Sequence, residues 1–303
     1  MTDTSPVLML MKRPDLFGLE GLGERYSLQS EPGPGIAVAL TGGNEGIDAA
    51  TIDACPDLKL IAVCAVGYDK VDVEYAKARG IAVTNTPDVL TDDVADLALA
   101  LMLSVFRKIP HYDQYVREGR WASEGTPGLS RSLTGRRIGI LGLGRIGLAI
   151  AERVRPIAGE IAYHSRSPKA GAEWRYEADP VALAQWAEVL VVAVAGGGGT
   201  KGLVGKAVIE ALGPEGVLIN IARGSVVDEE ALVEALVSGK LGGAGLDVFA
   251  DEPHVPEALF GLESVVLLPH QGSATRETRA QMAKLAIDNI EAYLGGKPLL
   301  TPV

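Results

Sequence analysis

The stretch RIGILGLGRIGLAIAERV, residues 137–154, decides the fold. It reads as a short apolar strand, then glycines at 142, 144 and 147, then an amphipathic helix. Strand, G-x-G-x-x-G and helix in that order make a phosphate-binding turn. One glycine allows the tight turn, one lets backbone approach a pyrophosphate, and one lets the helix pack closely on the strand. Backbone N–H groups and the helix dipole then hold the anion. The glycine spacing alone also fits a methyltransferase or a structural turn, but the flanking strand and helix favour a dinucleotide. The expected contacts are Gly142, Leu143, Gly144, Arg145, Ile146 and Gly147.

Working outward, short runs rich in Val, Ile and Leu alternate with helix-like segments. VLMLM, IAVAL, LKLIAV and IAVTN fill the first third; RIGILGLG, EIAYHS, EVLVVAVA, GVLINIA, GAGLDVF and SVVLLPH follow. Strands buried on both faces and separated by helices mean parallel sheets. The expected fold is α/β, two doubly wound parallel-sheet (Rossmann/flavodoxin-like) domains with the active site in the cleft between them. Residues 1–97, completed by 281–303, form the expected substrate-binding domain, and 98–280 the dinucleotide-binding domain. The near-continuously apolar run from Leu97 to Phe106, in a helix capped by Thr91 and Asp92, predicts a helix buried between domains or subunits.

The 303 residues carry a formal net charge of −11, the opposite of the basic footprint that nucleic acid requires. Two cysteines, Cys55 and Cys64, supply neither a disulfide framework nor a zinc cluster, and no metal is expected. The N-terminus places its basic residues after its apolar run, the wrong order for an export signal. The run from Leu97 to Phe106 is about half a membrane span. A cytoplasmic protein without nucleic-acid or membrane partners is the expectation. Glycine, at 37 residues, is well above an average share of about 7 %. This excess points to places where backbone meets a ligand, the unusual run Gly196 to Gly199 included.

In dinucleotide sites the strand after the glycine helix ends beside the adenine ribose, and an acid there selects NAD. Here it ends in Tyr163, His164, Ser165, Arg166, Ser167, Pro168 and Lys169, without a carboxylate. Two hydroxyls and a guanidinium suit a 2′-phosphate, so NADP(H) is expected, with Ser165, Arg166 and Ser167 as the phosphate site and Lys169 as a helper. The alternative is a solvated basic turn. His164 alternates away from the ligand and reads as structural.

Three candidates for chemistry follow successive later strands, at the carboxyl ends where open sheets bind ligands. They are Arg223 in LINIARGSVV, Glu252 in GLDVFADEP and His270 in VVLLPHQGS. Each alone has a bland reading as a solvated or turn residue. Together they meet the needs of ketone reduction. A histidinium gives a proton to the carbonyl oxygen, a carboxylate beside it favours the charged ring, and an arginine fork grips a substrate carboxylate.

These motifs, in this order, resemble the D-isomer-specific 2-hydroxyacid dehydrogenase family. The likeness runs from about residue 60 to the end, through AVGYDKVD, TNTPDVLTDDVADLALALML, LTGRRIGILGLGRIG, INIARGSVVDEEAL, GAGLDVFADEP and LLPHQGSAT. Within the family, YHSRSPK and ALGPEGVLINIARG are most similar to NADPH-dependent glyoxylate/hydroxypyruvate and hydroxyphenylpyruvate reductases. The resemblance implies Arg223, Glu252 and His270 as the catalytic set, Asp247 near the nicotinamide, and backbone N–H groups at Val66 and Gly67 on the substrate carboxylate. Ile221 and Gly272 complete the expected cofactor contacts. It also implies a homodimer through the cofactor domain, with Trp121 either closing a partner's site or serving as a buried anchor. Competing readings are a cofactor-sensing binding protein, and phosphoglycerate or formate dehydrogenases. The intact catalytic set disfavours the first, and the missing acid after the second strand disfavours the others.

Overall fold

Apolar residues run without interruption through most of the strands, so each strand must be covered on both faces, and parallel sheets sandwiched by helices are the result. The computed structural model describes residues 5–303. The first four residues, part of the stretch read against an export signal, lie outside the described residues. The chain divides into two units, one running up to Leu90 and resuming at Ser273–Val303, the other Thr91–Gly272.

In the first unit the elements are β1 (Pro6–Met9), β2 (Ser27–Gln29), β3 (Val38–Gly42), α1 (Ala49–Ala54), β4 (Leu60–Cys64), α2 (Val73–Ala78) and β5 (Ala82–Thr84). The described strands form one parallel sheet in the order β2-β1-β3-β4-β5. This is the flavodoxin-like order. Asp48 and Asp72 cap α1 and α2 by accepting from Thr51 and Tyr75 N–H, at 2.8 and 3.0 Å. Leu8, Ala39, Ile52, Leu58, Ile61 and Val83 meet in the core beneath them.

The second unit begins with α3 (Thr91–Arg107), α4 (Ile109–Arg117) and α5 (Arg120–Glu124). It continues as β6 (Arg137–Leu141), α6 (Arg145–Val154), β7 (Glu160–His164), β8 (Arg175–Tyr176), α7 (Pro180–Trp186) and β9 (Val189–Val192). It ends with α8 (Lys206–Leu212), β10 (Val217–Asn220), α9 (Glu229–Val237), β11 (Gly243–Leu246) and β12 (Val265–Leu267). Its strands are parallel, in the order β12-β11-β10-β9-β6-β7-β8. The order reverses between β6 and β9, the switch point at which open sheets bind ligands. Register aligns one row of residues across the sheet: Leu267, Leu246, Asn220, Val192, Leu141 and His164 stand side by side. Every loop that leaves this row starts from the same level. The chain then returns to the first unit as α10 (Arg276–Leu294), which packs on β4.

Three sequence expectations shift. The changes of unit near 97 and 281 fall inside α3 and α10. Each helix is one continuously hydrogen-bonded element, so the division precedes it, at Leu90/Thr91 and Gly272/Ser273. Helix α3 is buried within its own unit, through Leu101, Met102, Val105 and Phe106 against α6 and β10 to β12, while Leu103 stays exposed. The glycine excess serves packing as well as ligands. A Cβ on Gly243 or Gly245 of β11 would lie 3.1 Å from the Val105 or Leu101 side chain, so these glycines let α3 approach the sheet.

Met102 is fully buried. Replacing it with alanine is expected to cost about 2–5 kcal/mol, read as a lowered denaturant midpoint. An unchanged midpoint would show that α3 is peripheral to the core.

Candidate active site

The turn after β6 shows the division of labour among its glycines. Gly142 sits at φ +107, and a Cβ there would lie 2.7 Å from the Val194 nitrogen. A Cβ on Gly147 would collide with the Gly142 carbonyl, so only glycine lets α6 close on the turn. Gly144, by contrast, faces open space: a Cβ there meets nothing within 4 Å. It is the N-cap of α6 and supplies no side chain to the helix N–H groups. The described residues therefore crowd the turn from behind and leave its front to a ligand, as a pyrophosphate requires. Leu143 is buried, Ile146 half-buried and Arg145 exposed.

One strand over, the chain leaves β7 through Ser165, Arg166 and Ser167. Ser165 Oγ donates to the Ser167 carbonyl at 2.6 Å, and the Tyr176 hydroxyl donates to the Ser165 carbonyl at 3.2 Å. The Lys169 N–H donates to the Tyr163 hydroxyl at 2.8 Å. These bonds set the turn while Arg166 stays exposed with no ion pair among the described residues. His164 bonds the Glu177 carbonyl through Nδ1 at 3.0 Å.

Beyond Asn220, Leu246 and Leu267 in the same row lie the three candidates for chemistry. His270 and Glu252 meet directly, Nδ1 to Oε2, at 2.7 Å, with each side chain about three-quarters buried. A carboxylate accepts, so Nδ1 carries a proton and Nε2 is the nitrogen left to act. Nε2 has no partner among the described residues. Glu252 also accepts the Phe249 N–H through Oε1 at 3.1 Å. Burial pushes its carboxyl up, but the hydrogen bond and charge of His270, with Phe249 N–H and Arg223, outweigh that and hold it below the usual carboxylate range. Arg223 thus shares the electrostatic field of the pair.

Two supports in this region were not read from the sequence. Asn220 is buried. It donates to the Arg223 carbonyl at 3.1 Å and accepts the Ala222 N–H at 3.1 Å, fixing the turn that carries the guanidinium. A polar residue ending an otherwise apolar strand was the available signal. Gly224 packs so tightly that a Cβ would collide with the Phe249 carbonyl, which locks the Arg223 turn against the segment leading to Glu252.

Asp247 has a role beyond the one the resemblance implied. Its carbonyl accepts the His270 N–H at 2.9 Å, and its carboxylate accepts the N–H groups of Gln271 at 2.6 Å and Gly272 at 2.8 Å. Three successive residues hang from one aspartate. Its burial pushes its own carboxyl above the usual range, against the pull of those two N–H groups and of His270. His270 itself adopts a left-handed backbone at φ +56, a region in which His, Asn and Asp are enriched among non-glycine residues.

The remaining expectations fall outside this cluster. Ile221 is buried just past β10. Trp121, on α5, is 59 % exposed and is no buried anchor. The run Gly196 to Gly199 follows β9; Thr200 Oγ1 closes it onto the Ala195 carbonyl at 2.6 Å, and a Cβ on Gly197, Gly198 or Gly199 would meet nothing within 4 Å. Val66 and Gly67 belong to the first unit, in the turn that leaves β4. Cys55 and Cys64 are buried thiols, and burial pushes Cys64 to about 12.

A carboxyl depressed in the fold adds stability above its unfolded pKa and loses it as pH falls through the folded value. Glu252→Gln removes that ionisation. The stability difference between wild type and variant is expected to hold at neutral pH and shrink as pH falls below about 4.5, measured by denaturant unfolding at stepped pH. A difference that grows on acidification would contradict the ion pair.

Comparison with known proteins agrees with this geometry. Residues 99–272 match the D-isomer specific 2-hydroxyacid dehydrogenase, NAD binding domain. The chain is 53 % identical over 277 residues to hydroxyphenylpyruvate reductase of Plectranthus scutellarioides, covering 91 % of this chain and 87 % of the relative. It is 50 % identical over 268 residues to glyoxylate/hydroxypyruvate reductase A of Arabidopsis thaliana, covering 88 % and 85 %. The solved NADPH-dependent glyoxylate/hydroxypyruvate reductase of Sinorhizobium meliloti, in complex with NADP and malonate, superposes with a TM-score of 0.94 at 44 % identity, over 99 % of this chain and 97 % of that one. A dinucleotide turn, a histidine–glutamate pair beside an arginine on one sheet edge, and likeness along nine-tenths of the chain place this protein in the D-isomer specific 2-hydroxyacid dehydrogenase family.

Proposed function

We propose that the protein is an NADPH-dependent reductase of small 2-keto acids, of the glyoxylate/hydroxypyruvate kind, producing D-2-hydroxy acids. The observation that carries this reading is the 2.7 Å His270–Glu252 contact, which leaves Nε2 as the donor, on the same sheet edge as the dinucleotide turn. Bound there, reduced nicotinamide supplies the hydride. Reduction of the keto carbon would build charge on its oxygen, and His270 Nε2–H would deliver the proton that makes the hydroxyl. Glu252 keeps the ring oriented and balances its positive charge until that proton leaves. Arg223 holds the substrate carboxylate in its planar fork and fixes the keto carbon for attack. In the first unit, Val66 and Gly67 offer backbone N–H groups suited to a carboxylate. Asp247 and Gly272 would border a bound nicotinamide, and Ile221 would contact the cofactor.

NADPH preference rests on the unpaired Arg166 between Ser165 and Ser167, and on the absence of an acid in that turn. A homodimer through the second unit is supported by the apolar side chains that this unit leaves exposed, among them Leu103, Leu148, Ile109 and Trp121. A bulkier substrate such as hydroxyphenylpyruvate is the second reading, favoured by the 53 % identity to a reductase of that name.

Oxidation of NADPH with a panel of 2-keto acids tests the reading; no oxidation with any member would refute it. His270→Ala is expected to lower kcat by about 10²–10⁴-fold, and Arg223→Ala to cost about 10²-fold in kcat/KM. Wild-type rates in either variant would remove the assigned role. Arg166→Ala is expected to raise KM for NADPH about tenfold or more and leave NADH unchanged; equal effects on both cofactors would refute the phosphate site.

A further inference from the structure

The segment after β5 orients the Val66–Gly67 turn. Asn85 donates from Nδ2 to the Val66 carbonyl at 2.9 Å, and the Thr86 N–H donates to the Ala65 carbonyl at 2.9 Å. Two successive carbonyls of the turn are therefore held by two successive residues. A trans peptide is planar, with its N–H opposed to its C=O. Holding the Ala65 and Val66 carbonyls thus points the N–H groups of Val66 and Gly67 away from Asn85 and Thr86. Neither N–H meets an acceptor among the described residues, although the turn is only half exposed. Successive and without an acceptor among the described residues, the two N–H groups are available to an anion.

Asn85 is itself held from behind. Thr301 Oγ1 donates to the Asn85 carbonyl at 2.6 Å, and the Asn85 N–H donates to the Thr301 carbonyl at 3.3 Å. The fully buried Asn289 of α10 donates to Thr301 Oγ1 at 3.0 Å and accepts the N–H groups of Leu300 and Thr301 at 3.0 and 3.2 Å. Thr84 and Pro302 bridge antiparallel, and the Val303 N–H donates to the Val83 carbonyl at 2.9 Å. The sequence after α10 thus lies along the edge of β5 and clamps the residue that clamps the turn.

We propose that Asn85 is a positioning residue for substrate carboxylate binding, and that Thr301, fixed by Asn289, holds it in place. The proposal rests on the 2-keto acid reading and adds to it how the two N–H groups are aimed. Asn85 acts through the turn: it sets the direction of the donors offered to the carboxylate.

The test measures KM and kcat for a 2-keto acid, NADPH binding by fluorescence titration, and oxalate binding by calorimetry. Asn85→Ala is expected to raise KM and weaken oxalate binding about tenfold, the effect of misaiming a donor to a charged group, with a smaller change in kcat and unchanged NADPH binding. Thr301→Val is expected to shift KM in the same direction by about threefold, and Thr301→Ser to restore the wild-type value. KM and oxalate affinity within about twofold of wild type in Asn85→Ala and Thr301→Val would overturn the proposal, as would an equal loss of NADPH binding. If Asn85→Ala fails to fold, the Thr301→Val and Thr301→Ser pair decides. Wild-type protein inactive on every 2-keto acid would refute the functional reading alone, and the oxalate titration would still decide the clamp.

Discussion

The arrangement depends on one buried carboxylate. Asp247 follows β11, and its backbone and side chain together accept the N–H groups of His270, Gln271 and Gly272. Without the carboxylate, the loop after β12 would carry two unsatisfied donors, at Gln271 and Gly272, directly beside His270. A charge in this place is costly, and burial pushes the carboxyl up. Two charge-assisted hydrogen bonds offset much of that cost. Asp247 also ties inward, since its own N–H donates to the Asn220 carbonyl at 3.0 Å, and Asn220 sets the Arg223 turn. The three candidates for chemistry are linked through two buried polar residues that project from neighbouring strands.

The same physics recurs at the turns that would meet anions. At α6 a glycine leaves the helix N–H groups uncovered; at Val66 and Gly67 the carbonyls are held back so that the N–H groups face outward. In both places the donors are oriented backbone dipoles, which would suit an anion even within a chain of net charge −11.

How far the sequence could be read follows from what its patterns encode. Periodicity and glycine spacing report local geometry, so the buried strands, the dinucleotide turn and the return of the last helix to the first unit were legible. Arg223, Glu252 and His270 stood out because each follows a strand, and the structure brings His270 and Glu252 into contact. The short edge strands β2 and β8 were not, since an edge strand of two or three residues has no periodicity to show. Asn220, Asn85 and Thr301 were missed because their work is done on backbone atoms distant in sequence, and no spacing rule describes it. Trp121 was open between closing a partner's site and serving as a buried anchor, and only packing around α5 leaves it exposed and excludes the anchor. The glycine excess was read as a map of ligands, whereas Gly243 and Gly245 admit a helix.

The left-handed backbone at His270 restricts how this enzyme can change. Proton donation alone would tolerate a lysine or a tyrosine at that position. The backbone conformation disfavours β-branched and bulky side chains and favours the short list to which histidine belongs. A variant library at this position is therefore filtered twice, once by chemistry and once by φ. Variation is better sought at positions whose backbone lies outside the left-handed region than at His270 itself.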